Sequence, residues 1–176
     1  MSFEMLISRH LYPVFGSGID VWAVLISMIL IALMMGYFWG GVIADKHPEK
    51  EFLGYVIFIT AFFIGSSPFL SPLIIAFLDN SLSNSTALFT STFAISFLPI
   101  CLLGFFTPYA VKLSLIDIKK SGRVSGSIYT ISTLGNIAGT LSVPFILIPL
   151  FGAEKSSLLV SFICFISSLS FVLKKA

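Results

Sequence analysis

The feature that most constrains this chain is its alternation of long apolar runs with short charged turns. It first shows where the run from Val21 to Ala44 ends in Asp45, Lys46, His47, Glu49, Lys50 and Glu51. A run of that length, wound as a helix, crosses the ~30 Å hydrocarbon core of a bilayer with some tilt. Composition points to the same solvent. Of 176 residues, 57% are hydrophobic and 10% charged, against roughly 25% charged in an ordinary soluble domain. So few polar groups cannot cover a water-facing surface, and in lipid the backbone must satisfy its hydrogen bonds internally. The expected fold class is an all-α integral membrane protein. A formal net charge of +2 is too small to suggest nucleic-acid binding, and the basic residues sit in short clusters between apolar runs.

In chain order, residues 1–18 are apolar but interrupted by Glu4, Arg9, His10 and Pro13. A helix from Met1 to Tyr12 would be roughly 18 Å long and cannot span alone. With charges inside the apolar stretch and no basic region before it, it is not a signal peptide. It is expected to lie at the interface or to pack as a partial helix, with Pro13, Gly16 and Gly18 making the turn. Residues 19–176 form the membrane domain, with spans expected at about 21–44, 52–78, 86–111, 124–151 and 156–173. Trp22, Tyr37 and Trp39 suit interfaces. Pro68 and Pro72 predict a kink, because nearby serines can take up the carbonyls that proline frees. Ser132, Gly135, Gly139 and Ser142 recur on one face of the fourth span, and Gly36 and Gly40 thin the first. Both stripes are expected to let a neighbouring helix approach closely. Cys101 and Cys164 lie inside apolar runs and read as packing residues. His10 and His47, near opposite ends of the first span, do not share a metal.

Charge fixes the expected orientation. Lys46, Lys50, Lys112, Lys119, Lys120, Arg123, Lys174 and Lys175 fall on one side of this arrangement, and Arg9 and Lys155 on the other. By the positive-inside rule the first group is cytoplasmic. Five spans then run from an outside N-terminus to a cytoplasmic C-terminus.

In GVIADKHPEK, the spacing of Gly41, Asp45, Lys46 and Lys50 resembles the loop signature between the second and third helices of the major facilitator superfamily, with Pro48 where a second glycine is usual. A closer resemblance is to the membrane domain of the fused major-facilitator/spermidine synthase family. It is carried by Glu4 and Arg9 before PVFG at 13–16, an aromatic helix ending GGVIAD, LLGFFTPYAVKL at 102–113, and SGRVSGSIYTISTLGNIAGTLSVPFILIPLFG at 121–152. It covers nearly the whole chain and implies one half of a major-facilitator bundle in a bacterial cytoplasmic membrane. Two departures qualify it. Only the end of the family's first helix is expected here, and no counterpart of the soluble aminopropyltransferase-like domain that follows the family's membrane helices is expected within these residues. The polypeptide is therefore expected not to be an enzyme, with no catalytic residue, cofactor or metal assigned.

The individual polar residues each carry two readings. Asp45 either holds neighbouring helices together, as the family signature implies, or is an exposed loop acid beside Lys46 and Lys50. Asn136 is an amide well inside a span, and either bonds a neighbouring helix beside Gly135 and Gly139 or contacts a substrate. Glu4 and Arg9 either form an interfacial pair or belong to a substrate path. Glu4 is expected near the outer mouth with Asp20, leaving mid-membrane without an acid. Phe58, Phe62, Phe63, Phe105 and Phe106 read as lipid-facing or packed. Three functions follow. The chain is a non-catalytic module working with a separately encoded aminopropyltransferase-like or membrane partner or with its own copy, a small transporter of a polyamine or other solute acting as a dimer, or a structural subunit of a larger membrane complex.

Overall fold

A computed structural model describes residues 1–173. Lys174 and Lys175, counted in the orientation argument, lie outside the described residues. The described residues are helical, in the order α1 (Ser2–Phe15), α2 (Ile19–Lys46), α3 (Lys50–Ser81), α4 (Asn84–Gly104), α5 (Phe106–Ser114), a 3-10 turn (Ile118–Lys120), α6 (Ser121–Ser142), a π turn (Val143–Leu147) and α7 (Ile148–Val172). Four stretches are long and apolar enough to cross a membrane: Ile19–Lys46, Lys50–Ser81, Asn84–Ser114 and Ile118–Val172. Their outer surface fits that solvent, since Phe77 is 72% exposed, Leu73 70% and Phe62 68%.

With lipid as apolar as leucine, association between such helices rests on close packing and interhelical hydrogen bonds. The bundle supplies both. Helices α2 and α4 run parallel: Val21 and Val24 cluster with Leu88 at one end, and Gly36 lies against Gly104 towards the other. A Cβ at Gly36 would collide with the Cys101 carbonyl oxygen and come within 3.0 Å of the Gly104 Cα, while one at Gly40 would reach 2.7 Å from the Phe105 Cα. Helices α3 and α7 run antiparallel, with Gly54 against Phe171 and Val172 and Gly65 against Ser161. The Ser161 hydroxyl donates to the Ala61 carbonyl at 2.6 Å.

Helix α1 is a short helix held inside the bundle, with Leu6, Ile7 and Leu11 wholly buried. Pro13 is accommodated within it, and the chain reverses at Gly16, whose φ of +75° suits glycine. Pro68 and Pro72 likewise stay inside α3. The missing Pro68 amide frees the Ile64 carbonyl, and the Ser67 hydroxyl takes it at 2.7 Å. The segment expected to cross over 86–111 is interrupted at Phe105, between α4 and α5. The turn expected over Gly152–Ser157 contracts to Gly152, at φ +79° and ψ 169°. Ser156 and Ser157 are already helical there, donating to the Gly152 and Ala153 carbonyls.

The glycines of the α6 stripe differ in what stands beside them within the chain. Helix α6 has no buried residue. A Cβ at Gly135 would find nothing within 4 Å, and one at Gly139 would meet the Ser2 hydroxyl of α1. The Ser132, Gly135, Gly139 and Ser142 stripe thus borders α1 on one side and open surroundings on the other. The physical reason is position, since α6 stands at the bundle edge and, among the described residues, meets only the short α1 and α5 and the turns beside it.

Candidate functional site

The polar residues singled out above separate into two places. The first is where α2 ends. Ala44 and Leu53 enclose the fully buried Tyr109 of α5, whose hydroxyl donates to the His47 carbonyl across the turn. The Phe52 ring stacks on Tyr109 at 5.9 Å and on His47 at 6.4 Å. Above this ring stack, Asp45 accepts from the Lys112 ammonium at 2.6 Å, joining the end of α2 to α5. Both side chains are exposed, Asp45 by 70% and Lys112 by 43%, so solvent screens most of the attraction. Lys46 and Lys50 are exposed, and Gly41 makes only ordinary contact distance with Pro108, at 3.9 Å from its Cβ position. A double-mutant cycle on Asp45→Asn and Lys112→Gln is expected to give a coupling below ~1 kcal/mol by thermal unfolding. A coupling well above that would make the pair a principal fastening of the loop.

The second place is a cavity of about 310 Å³ at mid-depth of the bundle. Leu33, Ile64 and Ile100, each near the middle of its own stretch, form apolar walls. Glu4, Tyr37, Thr107, Ser132 and Asn136 supply the polar groups. Glu4 is only 8% exposed, and its Oε1 lies 3.7 Å from the α-amino group of Met1. This corrects the placement of Glu4 near the outer mouth. Because α1 runs outward from the cavity to Gly16, its first turn sits deep and carries the carboxylate with it. Arg9, about 1.4 turns along, does not meet Glu4. It is exposed, with its guanidinium carbon 5.4 Å from the Tyr12 ring centroid.

Asn136 and Ser132 therefore share a cavity with Glu4 and not with Arg9, and the Asn136 side is exposed because α6 forms the edge. Tyr37 and Thr107 were not anticipated. Tyr37 follows the close-packed Gly36, but a tyrosine near a span end reads first as an interfacial anchor. The cavity offers one buried carboxyl among hydroxyls and an amide, a set that can bind and orient a small polar or cationic group. A separate shallow groove of about 480 Å³ between α3 and α7 is lined by Phe58, Phe62, Phe69, Phe162 and Phe165 with few polar atoms, as suits contact with lipid tails.

Compared with family profiles, curated proteins and solved structures, the chain matches none.

Proposed function

We propose that this chain is a non-catalytic multi-pass module of a bacterial cytoplasmic membrane, of the kind its resemblance to the membrane domain of fused major-facilitator/spermidine synthase proteins implies. It works joined to another helix bundle, a second copy or a separately encoded partner, through the exposed side of α6. In this reading residues 19–46, 50–81, 84–114, 121–151 and 153–172 are five crossings, with the Lys46 and Lys119 loops cytoplasmic.

The observation that carries the reading is α6 itself. It is the most polar of the long helices, it buries nothing against its own chain, and it exposes Asn136 at the mouth of a mid-depth cavity. An amide facing hydrocarbon is unfavourable, and a partner helix drawn close over the glycines would satisfy it. A second reading, a dimeric transporter of a polyamine or other small solute, is favoured by Glu4, because a buried carboxylate in that cavity suits a cationic group.

Purification in mild detergent is expected to yield a homodimer or a complex with a second protein, and a bare monomer would overturn the partnered reading. A homodimer that moves no polyamine in liposomes would sink the transporter reading alone. In intact cells, a cysteine at Lys119 is expected to be shielded from impermeant maleimide and one at Ser83 to be labelled. The reverse pattern would invert the topology.

A further inference from the structure

Arg9 belongs to neither the loop nor the mid-depth cavity. Among the described residues the ion pairs are Met1 with Glu4 and Lys112 with Asp45, so no carboxylate pairs with Arg9. It stands two openings wide. One, of about 210 Å³, lies between α1 and the start of α2 and is lined by Ser8, Arg9, Tyr12, Ser17 and Trp22 among others. The other, of about 520 Å³, shares Ser8, Arg9 and Trp22 but reaches Met5, Pro144 of the π turn, and Ile148 and Pro149 at the start of α7. No acidic residue lines either. A π turn widens a helix by one residue, and such turns gather at functional sites. Here Pro144 of that turn, with Ile148 and Pro149 of α7, forms one wall of the larger opening.

Depth narrows the ligand. Arg9 lies roughly 9 Å along α1 from Phe15, at the end of the bundle that also holds the Gly16 reversal and Gly152. Its Cα is also about 7.5 Å from the mid-depth Glu4, within the hydrocarbon level, so the guanidinium, over Tyr12 at 5.4 Å and thus turned toward the Gly16 end, reaches for the headgroups along its stem. Below it the groove turns apolar.

We propose that this groove is a binding site for an anionic phospholipid. Arg9 takes the headgroup phosphate with paired, charge-assisted hydrogen bonds. Trp22, Met5 and Ile148 flank the upper part of one acyl chain. Charge complementarity selects this occupant, since the groove has one cation, no acid and an apolar floor. The inference rests on the membrane-embedded reading of the chain, and the test separates the two.

The test is native mass spectrometry of the full chain released from micelles containing phosphatidylglycerol, phosphatidylcholine or inorganic phosphate. The expected result is retention of phosphatidylglycerol at least tenfold over phosphatidylcholine, with little retention of phosphate. Arg9→Gln should abolish the preference and Arg9→Lys should keep part of it. Ile148→Trp, which fills the groove and leaves the guanidinium in place, should lower retention of both lipids, so the site is tested even where Arg9→Gln unfolds the chain. Equal lipid ratios in wild type and Arg9→Gln, or unchanged retention in Ile148→Trp, would overturn the site. Phosphate held as strongly as lipid would make it a free-anion site and overturn the lipid assignment. Carbonate washing of native membranes tests the underlying reading: a chain that stays in the membrane without lipid preference loses only this site, and one that washes out loses both.

Discussion

Gly36→Ala should lower the stability of the detergent-solubilised protein by ~3 kcal/mol or more, and Gly36→Leu should leave little folded material. The added methyl would strike the Cys101 carbonyl oxygen and crowd the Gly104 Cα at 3.0 Å. Both neighbours are backbone, so relief requires moving α4 as a unit. Ordinary overpacking costs about 1–3 kcal/mol when side chains give way, and here they are not what gives way. Gly126→Ala, on the face of α6 opposite the Gly135 stripe, is the matched control. Open space surrounds that position, and alanine favours the helix over glycine by roughly 0.5–1 kcal/mol. Thermal melting in one detergent should therefore move the two variants in opposite directions. A Gly36→Ala protein that melts with the wild type would show that α2 and α4 do not cross this closely.

The other large effect is expected at Tyr109. Its ring is wholly buried between Ala44 and Leu53 and is stacked on Phe52, so Tyr109→Ala should destabilise by ~3–5 kcal/mol, as aromatic-to-alanine truncations in packed cores do. Tyr109→Phe keeps the ring and removes only the hydroxyl that donates to the His47 carbonyl. The His47 carbonyl keeps the Glu49 amide as a donor at 2.8 Å, so the cost should be that of one hydrogen bond, ~0.5–1.5 kcal/mol. Limited proteolysis gives a local readout, because loosening the turn should expose the bonds around Pro48 and Lys50 before the rest of the chain. If Tyr109→Ala is cleaved no faster there than wild type, the loop is held by something other than this ring.

The contrast between Gly36 and Gly135 also shows how far the sequence could be read. Small residues at helical spacing announce that a backbone can be approached, and they do so equally on α2 and α6. Which stripe is used inside the chain depends on what stands opposite. Gly104 and Phe105 face α2, whereas among the described residues none comes within 4 Å of the Gly135 Cβ position on α6. That information is tertiary and has no local signature. The helical class and the long apolar stretches were legible because composition and run length dictate them. The bends were partly legible. Pro68 behaves as its serine neighbours suggested, but the break at Phe105 and the π turn at Val143–Leu147 do not follow from residue type alone. For the cavity, Glu4 and Asn136 stood out as polar residues in apolar surroundings, yet their meeting required knowing that α1 enters with its first turn innermost. The Lys112 partner of Asp45 was equally hidden, since the two are far apart in the chain and meet only when α2 and α5 lie side by side.

The parallel contact of α2 with α4 has a consequence in time. Gly36 leaves the ribosome about 70 residues before Gly104, an interval of roughly 3–14 s at 5–20 residues per second. Throughout that interval the most closely fitted surface of α2 has no mate, and α3 must be threaded back before one can arrive. The first helical hairpin is thus born with its best contact unmade, dependent on whatever shelters nascent segments until the next helix follows.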